Sequence, residues 1–216
     1  MLKNTLLVFG LAPGIGFCVI AGENPENLLE NGSFENSRKL IKSSSQYLLD
    51  RVRKGWDVGK GPVAELPTGW TLAGVTGSVS MRFVDKNAKG EELNVIDGSR
   101  ALKLTGSGSF YCASKLQPGE YVLKIHVKGK GEVVVHGFFC YNWVSRTQPS
   151  PNKTQSAVLL RAKGGSEWKE WYATVKLGVN VKQPCDFCTI CISVTDADPI
   201  YLDNVSIESL PREKAK

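Results

Sequence analysis

Two carboxylates near opposite ends of the chain stand where an ion or an anchor would want them. Glu35 closes the run Asn31-Gly32-Ser33-Phe34-Glu35, and Asp203 sits within Ile200-Tyr201-Leu202-Asp203-Asn204-Val205. Each run sets a β-type apolar stretch beside a turn-prone Asn or Gly. If the first and last strands lie together, Glu35 and Asp203 converge on one hard cation, of the kind that gathers oxygen ligands. That arrangement ties both termini into a closed sandwich and points to binding rather than catalysis.

Other chemistry is sparse. The only histidines are His126 and His136, on separate strand-like segments, and there is no Gly-x-Ser-x-Gly elbow and no phosphate loop. Glu91, Glu92, Asp196 and Asp198 fall in loops, whereas glycosidase chemistry needs two carboxyl groups facing each other across a cleft. The triplet Cys185, Cys188 and Cys191 lacks the fourth soft or imidazole ligand of a zinc site. A strand also sends Cys188 and Cys191 to opposite faces, and no helix follows to make a redox site. Packing cysteines or one disulfide is the reading that remains.

The elements that must position these residues are mostly strands. Asn27–Phe34 reads as a first strand, and residues 36–66 as a long loop excursion, with a short helix where Tyr47-Leu48-Leu49 and Val52 follow three serines. Strands then follow regularly: 70–72, 78–83, 100–105, 109–114, 121–127, 133–141, 156–161, 170–177, 186–195 and 200–208, with turns at Asp97-Gly98, Pro118-Gly119 and Gly164-Gly165. Many short strands at this spacing predict an all-β fold, a two-sheet antiparallel jelly-roll sandwich. Period-two alternation puts Tyr121, Leu123, Ile125 and Val127 in the core, likewise Trp171, Ala173, Val175 and Leu177, and Cys188, Ile190, Ile192 and Val194. Tyr172, Phe187, Thr189, Cys191 and Ser193 then face outward.

The bulk numbers agree. The 216 residues, 42% hydrophobic and 22% charged, suit one globular domain with a sizeable core. The formal charge of +6 is spread over scattered lysines interleaved with Glu132, Glu167 and Glu170, so nucleic acid is not an expected partner. Residues 1–21 read as a signal peptide, with Lys3 at the start, an apolar stretch from Leu6 to Ile20, and cleavage after Ala21. No later stretch is long and apolar enough to span a bilayer, so a secreted, cell-surface or periplasmic location is expected. After cleavage Cys112, Cys140, Cys185, Cys188 and Cys191 remain, an odd number that leaves at least one thiol unpaired within the chain. The domain runs over 22–210, and 211–216 forms a tail.

The order of several motifs resembles the family 4/9 carbohydrate-binding modules, which are galactose-binding-like jelly rolls. These motifs are Asn31-Gly32-Ser33-Phe34-Glu35, Pro67-Thr68-Gly69-Trp70, Asp97-Gly98 leading to Ala101-Leu102-Lys103-Leu104, Leu116-Gln117-Pro118-Gly119-Glu120-Tyr121, Trp168-Lys169 and Leu202-Asp203-Asn204-Val205. Residues 36–66 are longer than the family pattern, and the cysteines at 185–191 are unusual for it. The resemblance implies a structural calcium ion at Glu35 and Asp203, with Asp97 adding a carboxylate or placing a carbonyl.

It also implies non-catalytic binding of a polysaccharide or glycan. Sugar rings ask for flat apolar platforms with polar groups to fix the hydroxyls. In 133–143 the outward set is either Val134, His136, Phe138, Cys140 and Asn142, or Val135, Phe139, Tyr141 and Trp143. The first set is preferred because Val133 and Val135 continue the core. With Tyr172 and Phe187 it lines one concave face with Trp143 at the rim, while Trp70, Trp168 and Trp171 belong to the core. The competing readings are core packing for the aromatics, and for the whole protein a structural or adhesion module contacting protein, or an accessory part of a glycoside-hydrolase system.

Overall fold

The computed structural model describes residues 26–40, 46–59, 64–90, 94–141, 153–178 and 185–210. The expected leader, the tail, Asn142 and Trp143 lie outside them. In chain order the elements are β1 (Ser37–Lys39), α1 (Gln46–Arg53), β2 (Trp56–Asp57), β3 (Glu65–Pro67), β4 (Trp70–Asp85), β5 (Arg100–Cys112), β6 (Gly119–Gly129), β7 (Glu132–Tyr141), β8 (Lys153–Lys163), β9 (Lys169–Leu177) and β10 (Phe187–Ser209). None of the described helices is long and apolar enough to cross a membrane.

Three of these strands are longer than the sequence suggested. Segments 70–72 and 78–83 are one strand, β4; 100–105 and 109–114 merge into β5; 186–195 and 200–208 merge into β10. The glycines and the Asp196–Pro199 stretch between them mark corners rather than chain reversals. Pairing shifts register between Leu72 and Val79 on β4 and between Val194 and Ile200 on β10. At the β5 corner Gly106 has φ 93, and a Cβ there would lie 2.2 Å from the Ser78 carbonyl oxygen, so only glycine fits.

Each bent strand therefore serves two sheets. In the first sheet the order is β4, β5, the leading half of β10, β7 and β8; β10 pairs with β7 from Phe187 to Thr195. In the second the order is β4, β5, the trailing half of β10, β6 and β9, with β10 meeting β6 from Ile200 to Ser209. These pairs are antiparallel. The result is an all-β, two-sheet jelly-roll sandwich. Leu72, Phe110, Ile190, Ile192, Val133 and Val135 of the first sheet pack on Met81, Leu102, Leu104, Ile125, Leu202 and Ile207 of the second in one buried core. Each such side chain contributes about 1.5–3 kcal/mol by leaving water.

The alternation expected for β6, β9 and β10 is observed in which side faces the core: Leu123, Ile125, Val175, Leu177, Ile190 and Ile192 are buried there, and the residues that alternate with them face the other side. On β10, however, Phe187 and Cys191, expected outside, are themselves buried. Trp70 is core as expected. Its ring lies between Phe34 and Phe110, at centroid distances of 5.5 and 5.3 Å, and its indole N–H donates to the Glu30 carbonyl at 3.1 Å. A buried indole with its donor satisfied adds apolar burial without an orphaned polar group.

The beginning of the domain differs from expectation. Asn27–Phe34 is a turn-bearing segment rather than a strand, because Asn31 (φ 52) and Phe34 (φ 59) take left-handed backbone values that interrupt a ladder. It still lies along the end of β10. Leu28 N donates to Ile207 O at 3.0 Å, Val205 N donates to Gly32 O at 2.8 Å, and Asn27 Nδ2 donates to Val205 O at 2.9 Å. Gly32 makes the approach possible, since a Cβ there would be 1.9 Å from the Val205 carbonyl oxygen. The region 36–66 is likewise not all loop: β1 pairs with β3, the expected short helix forms as α1, and Trp56 of β2 is buried against β4.

Candidate ligand-binding face

On β7, Val133, Val135 and Phe139 point into the core, which leaves Val134, His136, Phe138 and Cys140 on the outer side of the first sheet. The described members of the preferred set, all but Asn142, therefore lie on the side away from the core, where Val134 and Cys140 are nonetheless buried. Register then places partners beside each residue. Tyr111 of β5 stands opposite Cys191 of β10, which stands opposite His136. Thr189 stands opposite Phe138, Phe187 opposite Cys140, and Ser193 lies between Ser109 and Val134.

Three neighbouring strands thus bring Tyr111, His136, Phe138 and Phe187 onto one face, with Ser109, Ser193 and Thr189 between them. The His136 and Phe138 rings are 6.5 Å apart and tilted by 48°, and the Ser109 and Ser193 hydroxyl oxygens are 2.9 Å apart. The Lys115 ammonium lies 4.8 Å from the centre of the Phe187 ring, an arrangement that favours the cation electrostatically. Burial, and after it the Arg161 charge, hold the His136 pKa below its ordinary value. The imidazole is then neutral at neutral pH, with one donor and one acceptor nitrogen. Burial pushes the Cys191 thiol up to about 11, so it stays protonated. Glu132, further along β7, is engaged by Arg161 at 3.2 Å.

Sequence reasoning missed Tyr111. Its outward orientation was legible in the alternation with buried Phe110 and Cys112, but its place next to β10 was not. Tyr172 is a correction in the other direction. It faces outward and is 69% exposed, but it lies on β9 opposite Lys124 of β6, on the outer side of the second sheet. It does not share a face with Phe138 and Phe187.

The carboxylates expected to hold an ion gather around one loop, 95–100. Glu35 Oε1 accepts the Ser99 and Arg100 backbone N–H groups at 3.0 Å each, and Oε2 accepts the Ser99 hydroxyl. Partial burial works to raise the Glu35 pKa, but these hydrogen bonds and the Arg100 charge outweigh it and leave it lowered. Asp203 is fully buried; Oδ2 accepts the Ile96 and Asp97 N–H groups at 3.1 Å each, and Oδ1 accepts that of Asn204 at 2.7 Å. Burial pushes its pKa up to about 6; the three N–H donors oppose this, and the Asp97 charge adds to it.

Three hydrogen-bond donors thus meet each carboxylate, Glu35 and Asp203 alike, and the Asp97 charge acts on Asp203. Among the described residues no group of three or more His, Cys, Asp or Glu side chains is arranged to hold a metal ion.

No family model and no curated protein matches the chain. Solved structures resemble its shape distantly. The CBM22-1–GH10 modules of Clostridium thermocellum xylanase 10B, complexed with xylohexaose, give a TM-score of 0.46 at 16% identity over 66% of this chain, which spans 26% of that structure. TmCBM61 in complex with β-1,4-galactotriose gives 0.46 at 16% identity, covering 86% of this chain and 99% of that one. The Stig cyclase Fisc from Fischerella sp. TAU gives 0.47 at 12% identity, covering 86% and 97%. Scores and identities this low carry no functional argument, and the three differ in what they bind or do.

Proposed function

We propose that this protein is an exported, non-catalytic carbohydrate-binding module that holds a polysaccharide or glycan chain on the outer face of its first sheet. The observation that carries the reading is the convergence of Tyr111, His136, Phe138 and Phe187 on that one face. Aromatic planes take the C–H side of pyranose rings, and His136, Thr189, Ser109 and Ser193 supply hydrogen bonds to hydroxyls. The motif order shared with family 4/9 modules points the same way. Calcium, when bound, would be structural: Asp97 and Asp203 would hold it at the 95–100 loop, where it supplies positive charge.

Affinity electrophoresis against a panel of soluble polysaccharides tests the reading. The protein should be retarded by at least one of them. Phe138→Ala should abolish the retardation, and Tyr172→Ala, on the opposite sheet, should leave it intact. Absence of retardation across a broad panel would overturn the proposal. A second reading, an adhesion module contacting protein, draws on the exposure of Tyr172, and capture of a protein ligand that is lost in Tyr172→Ala and kept in Phe138→Ala would favour it.

A further inference from the structure

Sequence reasoning left packing cysteines or one disulfide open for Cys185, Cys188 and Cys191 and named no pair. The structure singles one out. β10 begins only at Phe187, and the chain bends at Asp186, so both thiols turn to the core side. Their sulfur atoms are 3.5 Å apart, and the residues are 5% and 0% exposed. The pair is seated over Gly178, at the end of β9. A Cβ there would come within 2.2 Å of Cys185 Sγ and 3.4 Å of Cys188 Sγ, so glycine leaves the space that the two sulfurs fill. Cys188 is itself fixed, its N–H and C=O exchanging hydrogen bonds with Leu116 at 2.8 Å each. The other described cysteines are placed differently: Cys112 bonds Ser114, and Cys140 and Cys191 face the outer side of the sheet.

We infer that Cys185 and Cys188 form a disulfide when the chain folds in the presence of a small-molecule disulfide such as oxidised glutathione. The sulfurs need to close from contact to about 2.05 Å, a shift the bend at Asp186 can absorb. The Cys185 thiolate attacks one sulfur of glutathione disulfide, expelling one glutathione thiolate and leaving a mixed disulfide. The Cys188 thiolate then attacks the Cys185 sulfur and expels the second glutathione. The protein gives up two electrons and two protons, and the oxidant leaves as two thiols. Burial, then the adjacent Cys185, pushes the Cys188 thiol far above its ordinary pKa, so the reduced native protein is unreactive and the bond is made during folding.

The bond sits at a useful place. Phe187 lies between the two cysteines, and Lys115, which caps its ring, precedes the Leu116 that is bonded to Cys188. If the carbohydrate-binding reading holds, the disulfide fixes one wall of that face; the bond itself is tested without any ligand.

The full chain is refolded in a glutathione redox buffer, alkylated under denaturing conditions and mapped by mass spectrometry. The Cys185 and Cys188 peptides should resist alkylation and be linked to each other, while Cys18, Cys112, Cys140 and Cys191 are alkylated. Alkylation of both, or a link from either to another cysteine, overturns the inference. Reductant should lower the melting temperature of the wild-type protein and leave that of Cys185→Ser unchanged; an equal shift in the two also overturns it. Should Cys185→Ser fail to fold, the peptide map decides alone.

Discussion

Glu35 and Asp203, 168 positions apart in the chain (203 − 35), take hold of the same loop from its two ends: Asp203 accepts the amides of Ile96 and Asp97, and Glu35 those of Ser99 and Arg100. The start and the end of the domain are thereby fastened to one stretch, 96–100, that leads into β5. Buried amides lose their water on folding, and a carboxylate restores their hydrogen bonds with charge assistance.

Removing either anchor should therefore destabilise the domain, unequally. Asp203→Ala leaves buried N–H groups without an acceptor and is expected to lower the unfolding free energy by about 3 kcal/mol. Glu35→Ala, at a partly exposed site, should cost about 1 kcal/mol. Urea unfolding followed by tryptophan fluorescence measures both, and equal small effects would show that the loop is held by other contacts.

Gly32 gives a steric counterpart. With the Val205 carbonyl oxygen 1.9 Å from where a Cβ would stand, Gly32→Ala must push the leading segment off β10. The expected cost is about 3 kcal/mol, at the upper end for overpacking. The urea midpoint should fall with little change in slope.

The 95–100 loop also supplies the test for calcium. Millimolar calcium should raise the melting temperature, a chelator should reverse the rise, and Asp97→Asn should remove the response. A melting temperature indifferent to both additions would mean that the termini are held by hydrogen bonds alone.

His136 predicts a pH dependence with a definite sign. Its folded pKa is depressed, so between that value and the ordinary one near 6.5 the unfolded chain binds a proton that the folded chain does not. The stability it contributes is full above the ordinary value and is lost as pH falls through the folded one. His136→Gln should flatten that part of the acid limb, measured as urea midpoints from neutral pH downward. An unchanged profile would place the titration elsewhere.

How much of this was legible beforehand depends on the range of the interaction. The facing of His136 and Phe138 outward, with Val133 and Val135 inward, followed from alternation alone, because side-chain direction along a strand is a local property with a period of two. The same holds for the cores of β6, β9 and β10. Strand length was harder. The turn-prone residues near Gly74, Gly106 and Asp196 announced an interruption, and nothing local distinguishes a chain reversal from a corner where a strand passes between sheets.

The alternation of apolar residues, the turn chemistry and the motif order were thus enough to determine a jelly-roll sandwich and the facing of most side chains. Pairing decided the rest. Tyr111 meets Cys191 and His136 only because β5, β10 and β7 are neighbours, while Tyr172, equally outward, falls on the other sheet. Glu35 and Asp203 face amides, and Cys185 lies against Cys188, because of where a loop and a bend come to rest. Such contacts are set by the burial of whole faces against each other across long stretches of chain, and no local pattern encodes them.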